Sequence, residues 1–176
     1  GLGISRFRLR DGRDRRLSAG LGALHHDFFG LKADGSFVIG EYDLLEEISS
    51  DLVQACGGRG VILRDGQPYD ISYTEGGDDL GVNVHPRTAV GFRENGDLLI
   101  VVADGRQSGY SVGMNLVDLA QVFKSLGAVS ALNLDGGGSS TFVTKNADGS
   151  LSVKNKTSNS GGALRAVGGC LILTAA

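Results

Sequence analysis

The chain has 176 residues, with 17 lysines and arginines against 20 aspartates and glutamates, so its formal net charge is −3. Hydrophobic residues make up 41% and charged residues 21%, a balance typical of globular proteins. A charge this near zero argues against a dedicated nucleic-acid binder, and no apolar run approaches the length of a membrane span. The length predicts a single domain over residues 1–176 with its own hydrophobic core.

Glycine is the compositional outlier, with 29 residues against only two prolines. There is no collagen repeat, so these glycines are expected in turns and at close backbone approaches. The two cysteines, Cys56 and Cys170, leave a disulfide open, because sequence alone does not place their Cα atoms. The favoured interpretation is two small, buried apolar side chains.

The N-terminal half begins with a predicted strand in which Phe7 and Leu9 alternate with arginines. Residues 6–16 contain six of the twelve arginines. We interpret them as charge that protects an edge strand, in preference to an anion-binding patch. Further predictions are strands at 36–42 and 61–63, a helix at 43–55, a tight turn at Asp65-Gly66 and a long polar loop at 72–84.

The C-terminal half has a clearer pattern. A helix is predicted at 115–126, with Asn115 as its N-cap and Gly127 closing it. Strands are predicted at 88–92 and 98–103, joined by a hairpin turn, at 140–145 and 150–154, joined by a second hairpin turn, and at 129–134 and 165–173. Strands dominate, so the predicted fold class is α/β (α+β): a single domain with a mixed β-sheet core, β-hairpins and about two packed helices.

Polar residues concentrate where predicted strands run into loops, the usual place for function on a rigid scaffold. The strongest segment delivers Asp135 to a strand end and follows it with Gly136, Gly137, Gly138, Ser139 and Ser140. Three glycines let the backbone approach a ligand, and their N–H groups with the serine hydroxyls could hold an anion. A simple bend capped by Asp135 is the alternative, but a triple glycine loses much chain entropy on folding, which favours function.

Three arginines are candidate phosphate ligands: Arg87, Arg106 and Arg165. A planar guanidinium suits bidentate phosphate contacts, although each of these residues alone is more often a surface or ion-paired side chain. Asp104 and Arg106 are two residues apart and could form a surface pair worth little; alternatively, Arg106 could hold a phosphate.

No metal and no cofactor is predicted, and calcium binding through the oxygens of Asp78, Asp79 or Asp135 stays open as an alternative without an EF-hand loop. Adjacent histidines such as His25 and His26 point to opposite faces of a strand and rarely bind one ion together. The sequence contains no zinc-ligand spacing, no phosphate-binding P-loop and no dinucleotide-binding glycine motif.

Four motifs follow one another along the chain. They are Pro86-Arg87-Thr88-Ala89-Val90-Gly91, Asp104-Gly105-Arg106-Gln107-Ser108, Gly113-Met114 before a Leu-rich helix, and residues 132–141. In this order, they resemble the motifs of the phosphodiester glycosidase family. The resemblance is best over residues 60–173, whereas 1–59 diverge. Asn155 and Arg165 are similar to the family's late Asn and Arg, which precede its last strand. Members usually carry an Asn-Gly-like pair before Phe-Phe; here His26 or Asp27 stands in that place, and which of the two substitutes stays open.

The resemblance implies a hydrolase that cleaves the glycosidic C–O bond of sugar-1-phosphodiesters, of the GlcNAc-1-phosphodiester kind, and releases free sugar and a phosphomonoester. A carboxylate must activate water or attack the anomeric carbon, with Asp135 the first choice and Asp104 the second. The arginines, Asn155, the glycine turn and its serines would hold the phosphate. Sugar-orienting roles fall to Asn133, Gln107, Ser108, His85, His26 and Asp27, with His85 also a candidate proton shuttle.

Two alternatives stay open beside the enzyme. One is a non-catalytic module that binds a phospho-glycan or cell-surface polymer. The other is a domain of a larger secreted or phage appendage protein. For the enzyme, the expected partner is a sugar-1-phosphodiester or phosphorylated glycan, without nucleic acid, and the resemblance implies an extracytoplasmic, secreted or lumenal location.

Overall fold

The computed structural model describes residues 4–11, 27–69 and 81–175. The helices are α1 (Tyr42–Ile48) and α2 (Leu116–Ser125), with 3₁₀ turns at Ser49–Asp51, Gly137–Ser139 and Ser160–Gly162. The strands are β1 (Ile4–Asp11), β2 (Asp27–Lys32), β3 (Phe37–Gly40), β4 (Leu52–Gly58), β5 (Val61–Arg64), β6 (Gln67–Pro68), β7 (Arg87–Phe92), β8 (Leu98–Ala103), β9 (Ser130–Asn133), β10 (Val143–Lys145), β11 (Leu151–Val153) and β12 (Gly169–Ala175). The fold is α+β. Most of the predicted 72–84 loop lies outside the described residues.

The strands form several sheets rather than one. A five-stranded sheet has the order β6-β5-β9-β7-β8, a three-stranded sheet has the order β3-β2-β4, and β1-β12 and β10-β11 form two-stranded sheets. Every strand pair in the described ranges is antiparallel, so the predicted mixed sheet is wrong. The helical crossover through α2 does return β9 parallel to β8, but β7 lies between them.

The core has two parts, one on each face of the five-stranded sheet. Leu119 and Phe123 of α2 pack on one face, against residues that include Ala89 and Ala131. On the other face, Leu132 packs with Phe29 of the three-stranded sheet. Side chains alternate between faces along a strand, so neighbouring residues of β9 contribute to different layers.

The structure confirms the predicted α2 helix and the predicted tight turns. Asn115 caps α2 by accepting a hydrogen bond from the Asp118 N–H at 2.7 Å. Asp65 and Gly66 both have positive φ, as a two-residue hairpin turn requires, and the strands on either side pair as β5 and β6. The predicted hairpins at 88–103 and 140–154 are also present, as β7-β8 and β10-β11.

The predicted helix at 43–55 is wrong in its second half. The helix ends at Ile48, and residues from Leu52 onward form β4, paired antiparallel to β2. Val53, which lies within the predicted helix, is 60% exposed. Pairing with β2 gives one side of this segment's backbone a ladder of sheet hydrogen bonds, which overrides its helical apolar spacing.

The cysteines are both free, Cys56 partly buried and Cys170 exposed. The expectation of two buried cysteines is therefore wrong for Cys170. Burial raises the pKa of Cys56 to about 11, so its thiol stays protonated and unreactive at neutral pH.

None of the helices in the described ranges has the length and apolar character needed to cross a bilayer.

Candidate functional site

The predicted polar segments meet at one edge of the five-stranded sheet. β7 runs antiparallel to both of its neighbours, with Arg87 opposite Ala103 and Ala89 opposite Asn133. The start of β7 therefore lies beside the ends of β8 and β9. This topology brings together the segments 85–87, 104–114 and 133–140, which are distant in sequence.

Main-chain hydrogen bonds lock these segments against one another. His85 and Met114 exchange N–H···O bonds of 3.2 and 2.9 Å, and the Gly137 N–H donates to the Pro86 carbonyl at 2.9 Å. The approach is too close for side chains, because a Cβ on Gly136 would lie 2.6 Å from the Pro86 oxygen. The glycines of this edge are thus required by backbone packing.

Arg87 is buried beneath the segments that meet at this edge. It is only 3% exposed, its Nε donates to the Met114 carbonyl at 2.8 Å, and its Nη2 donates to the Asn83 carbonyl at 3.0 Å. These two donors bind main-chain carbonyls, so Arg87 stabilises the packing of the segments that contain Asn83 and Met114. Its predicted phosphate contact stays a prediction.

Arg106, in contrast, is exposed and lies against the glycine turn. Its backbone has φ +57°, an uncommon conformation for a residue with a side chain. Its Nη2 lies 3.2 Å from His85 Nδ1, and its Nη1 is 3.0 Å from the position that a Cβ on Gly137 would take. The guanidinium therefore lies between His85 and the turn that follows Asp135.

Asp135 is exposed at the start of that turn. Gly137 has φ +59°, and the N–H groups of Ser139 and Ser140 donate back to the carbonyls of Gly136 and Gly137 at 3.1 and 3.2 Å. With the Gly137 N–H given to Pro86, these three amides are used within the fold. The predicted anion nest thus has fewer N–H groups to offer than the sequence suggested.

Asp104 is the most thoroughly hydrogen-bonded carboxylate of the site. It accepts from the Tyr110 hydroxyl at 2.9 Å, from Asn155 Nδ2 at 2.9 Å and from the Lys156 N–H at 3.0 and 3.1 Å. Desolvation by burial raises its pKa, but the hydrogen bonds from Lys156, Asn155 and Tyr110 together lower it below the usual value. Asp104 therefore holds its negative charge firmly.

Two predicted ligand residues tie the segments together through their amide groups. Besides bonding Asp104, Asn155 donates to the Ser140 carbonyl at 2.9 Å and accepts from the Phe142 N–H at 2.7 Å. Gln107 donates to the carbonyls of Gly105 and Lys156 at 3.3 and 2.9 Å. Their side-chain contacts within the described ranges are therefore structural.

Three more predicted residues lie under or within the turn. Ser140 is buried and its Oγ accepts from Thr88 Oγ1 at 3.2 Å. Asn133 is 7% exposed, and its Nδ2 donates to the Arg59 carbonyl at 3.0 Å. Asn133 Oδ1 and Ser139 Oγ are buried without a hydrogen-bond partner among the described residues. The described part of the fold therefore does not satisfy the hydrogen-bonding potential of these two oxygens.

Asp27 is linked to this edge through one turn. Its Oδ2 accepts from the N–H groups of Gly60 and Val61 at 2.8 and 2.9 Å, and the Arg59 N–H donates to the Asn133 carbonyl at 2.8 Å. Burial raises the pKa of Asp27, although the two N–H bonds act to lower it. Of the two candidates before Phe28, His26 lies outside the described residues.

Ser108 and Arg165 are exposed, and neither makes a side-chain hydrogen bond or ion pair within the described ranges. The sequence analysis missed Asn159, whose Nδ2 donates to the carbonyls of Gly138 and Ala163 at 3.0 Å each. A Cβ on Gly138 would overlap Asn159 Oδ1. No local signal marks Asn159, because its role depends on a contact 21 residues away.

Within residues 4–11, 27–69 and 81–175, no three His, Cys, Asp or Glu side chains come together as a metal site would require. The chemistry that this edge offers is therefore one exposed carboxylate, one exposed guanidinium and buried hydroxyl and amide oxygens.

Comparisons with known proteins agree with these motifs. A family model for phosphodiester glycosidase matches residues 6–174. N-acetylglucosamine-1-phosphodiester alpha-N-acetylglucosaminidase of Mus musculus is 35% identical over 143 residues, which are 74% of this chain and 27% of the mouse protein. The Homo sapiens protein of the same name is 34% identical over 142 residues, with the same coverage. The chain thus spans about a quarter of the length of these relatives.

Solved structures share the fold. The zebrafish N-acetylglucosamine-1-phosphodiester alpha-N-acetylglucosaminidase catalytic domain, described as auto-inhibited by its pro-peptide, superposes with a TM-score of 0.68 and 30% identity. The match covers 86% of this chain and 53% of the zebrafish one. A putative exported protein of Burkholderia pseudomallei has a TM-score of 0.54 and 22% identity over 87% of this chain and 39% of its own, a likeness of fold alone.

Proposed function

This chain belongs to the phosphodiester glycosidase family, and we propose that it hydrolyses sugar-1-phosphodiesters. The observation that carries the proposal is the meeting of Asp135, the glycine turn and Arg106 at one sheet edge. The substrate class is supported by the names of the mouse and human relatives, which specify an N-acetylglucosamine-1-phosphodiester.

The proposed reaction breaks the bond between the anomeric carbon and a phosphate oxygen. Water supplies a hydroxyl to the sugar, and the phosphate leaves as a monoester with the bonding electron pair. Asp135 is suited to take the proton from water, or to attack the anomeric carbon and form a covalent intermediate that water then opens. Its exposure at the start of the glycine turn leaves its carboxylate open to a substrate.

Arg106 is the proposed partner of the leaving group. The phosphodiester carries negative charge in the substrate and keeps it as the C–O bond breaks, and a fixed guanidinium binds that charge throughout. A phosphomonoester is already a good leaving group, so the site needs little help from a general acid. Asp135 and Arg106 are the exposed carboxylate and the exposed cation that we assign to these two roles.

We assign Asp104 to positioning rather than to proton transfer. Hydrogen bonds from three neighbouring residues engage its oxygens, and its lowered pKa makes it a poor proton carrier at neutral pH. The same geometry favours the second candidate function, a non-catalytic phospho-glycan binding module, since it leaves a single accessible carboxylate of the predicted pair.

Sugar release separates the two functions. The purified protein is incubated with UDP-GlcNAc and a GlcNAc-α-1-phospho-6-mannoside, and free sugar is detected by mass spectrometry. We expect release by the wild type and none by Asp135→Asn, which keeps the size of the side chain. Glu94→Gln is the matched control, because it removes an exposed carboxylate at the opposite end of β7. Binding of these compounds without release would support the module instead.

A further inference from the structure

We infer that His85 is a positioning residue, which holds the Arg106 guanidinium in place for the phosphate of the substrate. The inference rests on the proposed function and deepens it. It gives His85 a role other than the sugar contact or proton shuttle that the sequence suggested, and it places the phosphate at Arg106 rather than at the buried Arg87.

The backbone that carries Arg106 is held fixed. Its N–H donates to the Val112 carbonyl at 3.2 Å, and Gln107 and Ser111 exchange N–H···O bonds of 2.9 Å in the same loop. Gly113 has φ +104°, and a Cβ there would lie 2.5 Å from the main-chain carbonyl carbon of His85. The loop therefore packs directly on His85, which explains why Arg106 keeps its unusual φ of +57°.

The contact between the Arg106 and His85 side chains determines which ring nitrogen of His85 carries the proton. A guanidinium has only donors, so the 3.2 Å contact from Arg106 Nη2 requires a lone pair on His85 Nδ1. A neutral imidazole that accepts at Nδ1 carries its proton at Nε2. Unlike a carboxylate, this partner orients the guanidinium without neutralising it. The positive charge stays available to an anion.

The position of the Arg106 guanidinium indicates which anion it binds. It lies over Gly137 in the turn that begins with Asp135, and it is exposed. The fork of N–H groups that His85 does not use suits two oxygens of one phosphate. The phosphodiester group of the substrate is therefore placed at Arg106, over the turn that begins with the residue proposed to act on the anomeric carbon.

A double-mutant cycle tests whether His85 acts through Arg106. We expect His85→Ala and Arg106→Ala each to raise KM about tenfold while kcat changes less than about threefold. The double variant should be no worse than Arg106→Ala. His85→Asn, which keeps an acceptor near the position of Nδ1, should recover most of the loss. Arg93→Gln, which removes one charge beyond the far end of β7, should leave KM unchanged.

Two results of this cycle would overturn the inference. A KM for the double variant that multiplies the two single effects would show that His85 acts on the substrate independently. A fall in kcat at unchanged KM in His85→Ala would indicate proton transfer.

A second measurement does not depend on turnover. Nitrogen NMR of the wild-type imidazole should show the proton of His85 at Nε2, with this preference reduced in Arg106→Ala. Titration of the same variants with inorganic phosphate should show losses of phosphate affinity that are non-additive in the same way as the KM values of the cycle. Phosphate binding without sugar release would reject the proposed function and keep the anion site. Sugar release with the proton of His85 at Nδ1, or with phosphate binding unaffected by either substitution, would reject the inference alone. A protein that neither releases sugar nor binds phosphate would reject both.

Discussion

Asn155 joins Asp104 to the end of the glycine-rich turn. Its Nδ2 donates to Asp104 Oδ1 and to the Ser140 carbonyl, each at 2.9 Å, while its Oδ1 accepts from the Phe142 N–H at 2.7 Å. All the polar atoms of this one amide are therefore in use. The orientation of the amide is set by this network, and the contact joins the loop after β8 to the segment after β9.

Asn155→Asp should destabilise the protein at neutral pH by about 1–3 kcal/mol, because it puts a second carboxylate where a donor to Asp104 stood. Two facing carboxylates share a proton readily, so the deficit should shrink as the solution is acidified. Denaturant unfolding of the variant and the wild type at pH 7 and pH 4 measures this. Asn155→Ala is the control, since it loses the same donor without gaining a charge. An equal recovery in both variants would contradict the explanation.

Asp104→Asn should lose about 1–2 kcal/mol at neutral pH, because an amide cannot accept from all the donors that surround the carboxylate. The pKa of Asp104 is lowered in the folded protein. Its contribution is therefore fully present above the unfolded pKa of about 3.9 and is lost as pH falls through the folded pKa. The difference between variant and wild type should narrow towards pH 3 in chemical denaturation. A constant difference over this range would count against a pKa-linked contribution.

The local patterns of the C-terminal half were enough to predict the order of its strands and α2, although β10 begins only at Val143 and β12 only at Gly169. The Asn115 cap, the amphipathic spacing of α2 and the turn residues at 94–97 all act within a few residues. The same logic failed at Leu52–Gly58, where strand pairing with β2 outweighed helical spacing. It also gave no sign of β2 itself, whose strand form depends on neighbours on both sides.

The sequence indicated which polar segments lie at strand ends, but it did not indicate what their side chains contact. Strand-end clustering and the glycine turn correctly indicated the segments that meet. Whether an arginine faces solvent or supports the main chain depends on contacts across the fold. Arg87 and Arg106 look equivalent in sequence, yet one is buried on carbonyl oxygens and the other is exposed.

Asp27→Asn should be as stable as the wild type at pH 7, or more stable. Burial raises the pKa of Asp27, so ionisation disfavours the folded state. The stability linked to the neutral carboxyl is fully present below the unfolded pKa of about 3.9 and is lost as pH rises through the folded pKa. An amide oxygen can still accept from Gly60 and Val61 without carrying charge.

Unfolding free energies at pH 3 and pH 7 test this prediction. The advantage of Asp27→Asn should be greater at pH 7 and should nearly vanish at pH 3. Asp27→Leu, which removes the acceptor, should lose about 1–3 kcal/mol at both pH values. A clear loss of stability in Asp27→Asn at pH 7 would show that the negative charge itself supports the Gly60 turn.

Gly137→Ala should affect both stability and substrate affinity. The positive φ of +59° costs a residue with a side chain about 1–2 kcal/mol, and the new Cβ would meet Arg106 Nη1 at 3.0 Å. Gly66→Ala is the matched control, because Gly66 has φ +70° and a Cβ there would lie 3.9 Å from the Ala128 carbonyl oxygen. Both variants should lose similar stability, measured by thermal unfolding. Only Gly137→Ala should raise KM for a sugar-1-phosphodiester, because only it displaces the guanidinium. Equal KM values in the two variants would show that the position of Arg106 over the turn does not govern binding.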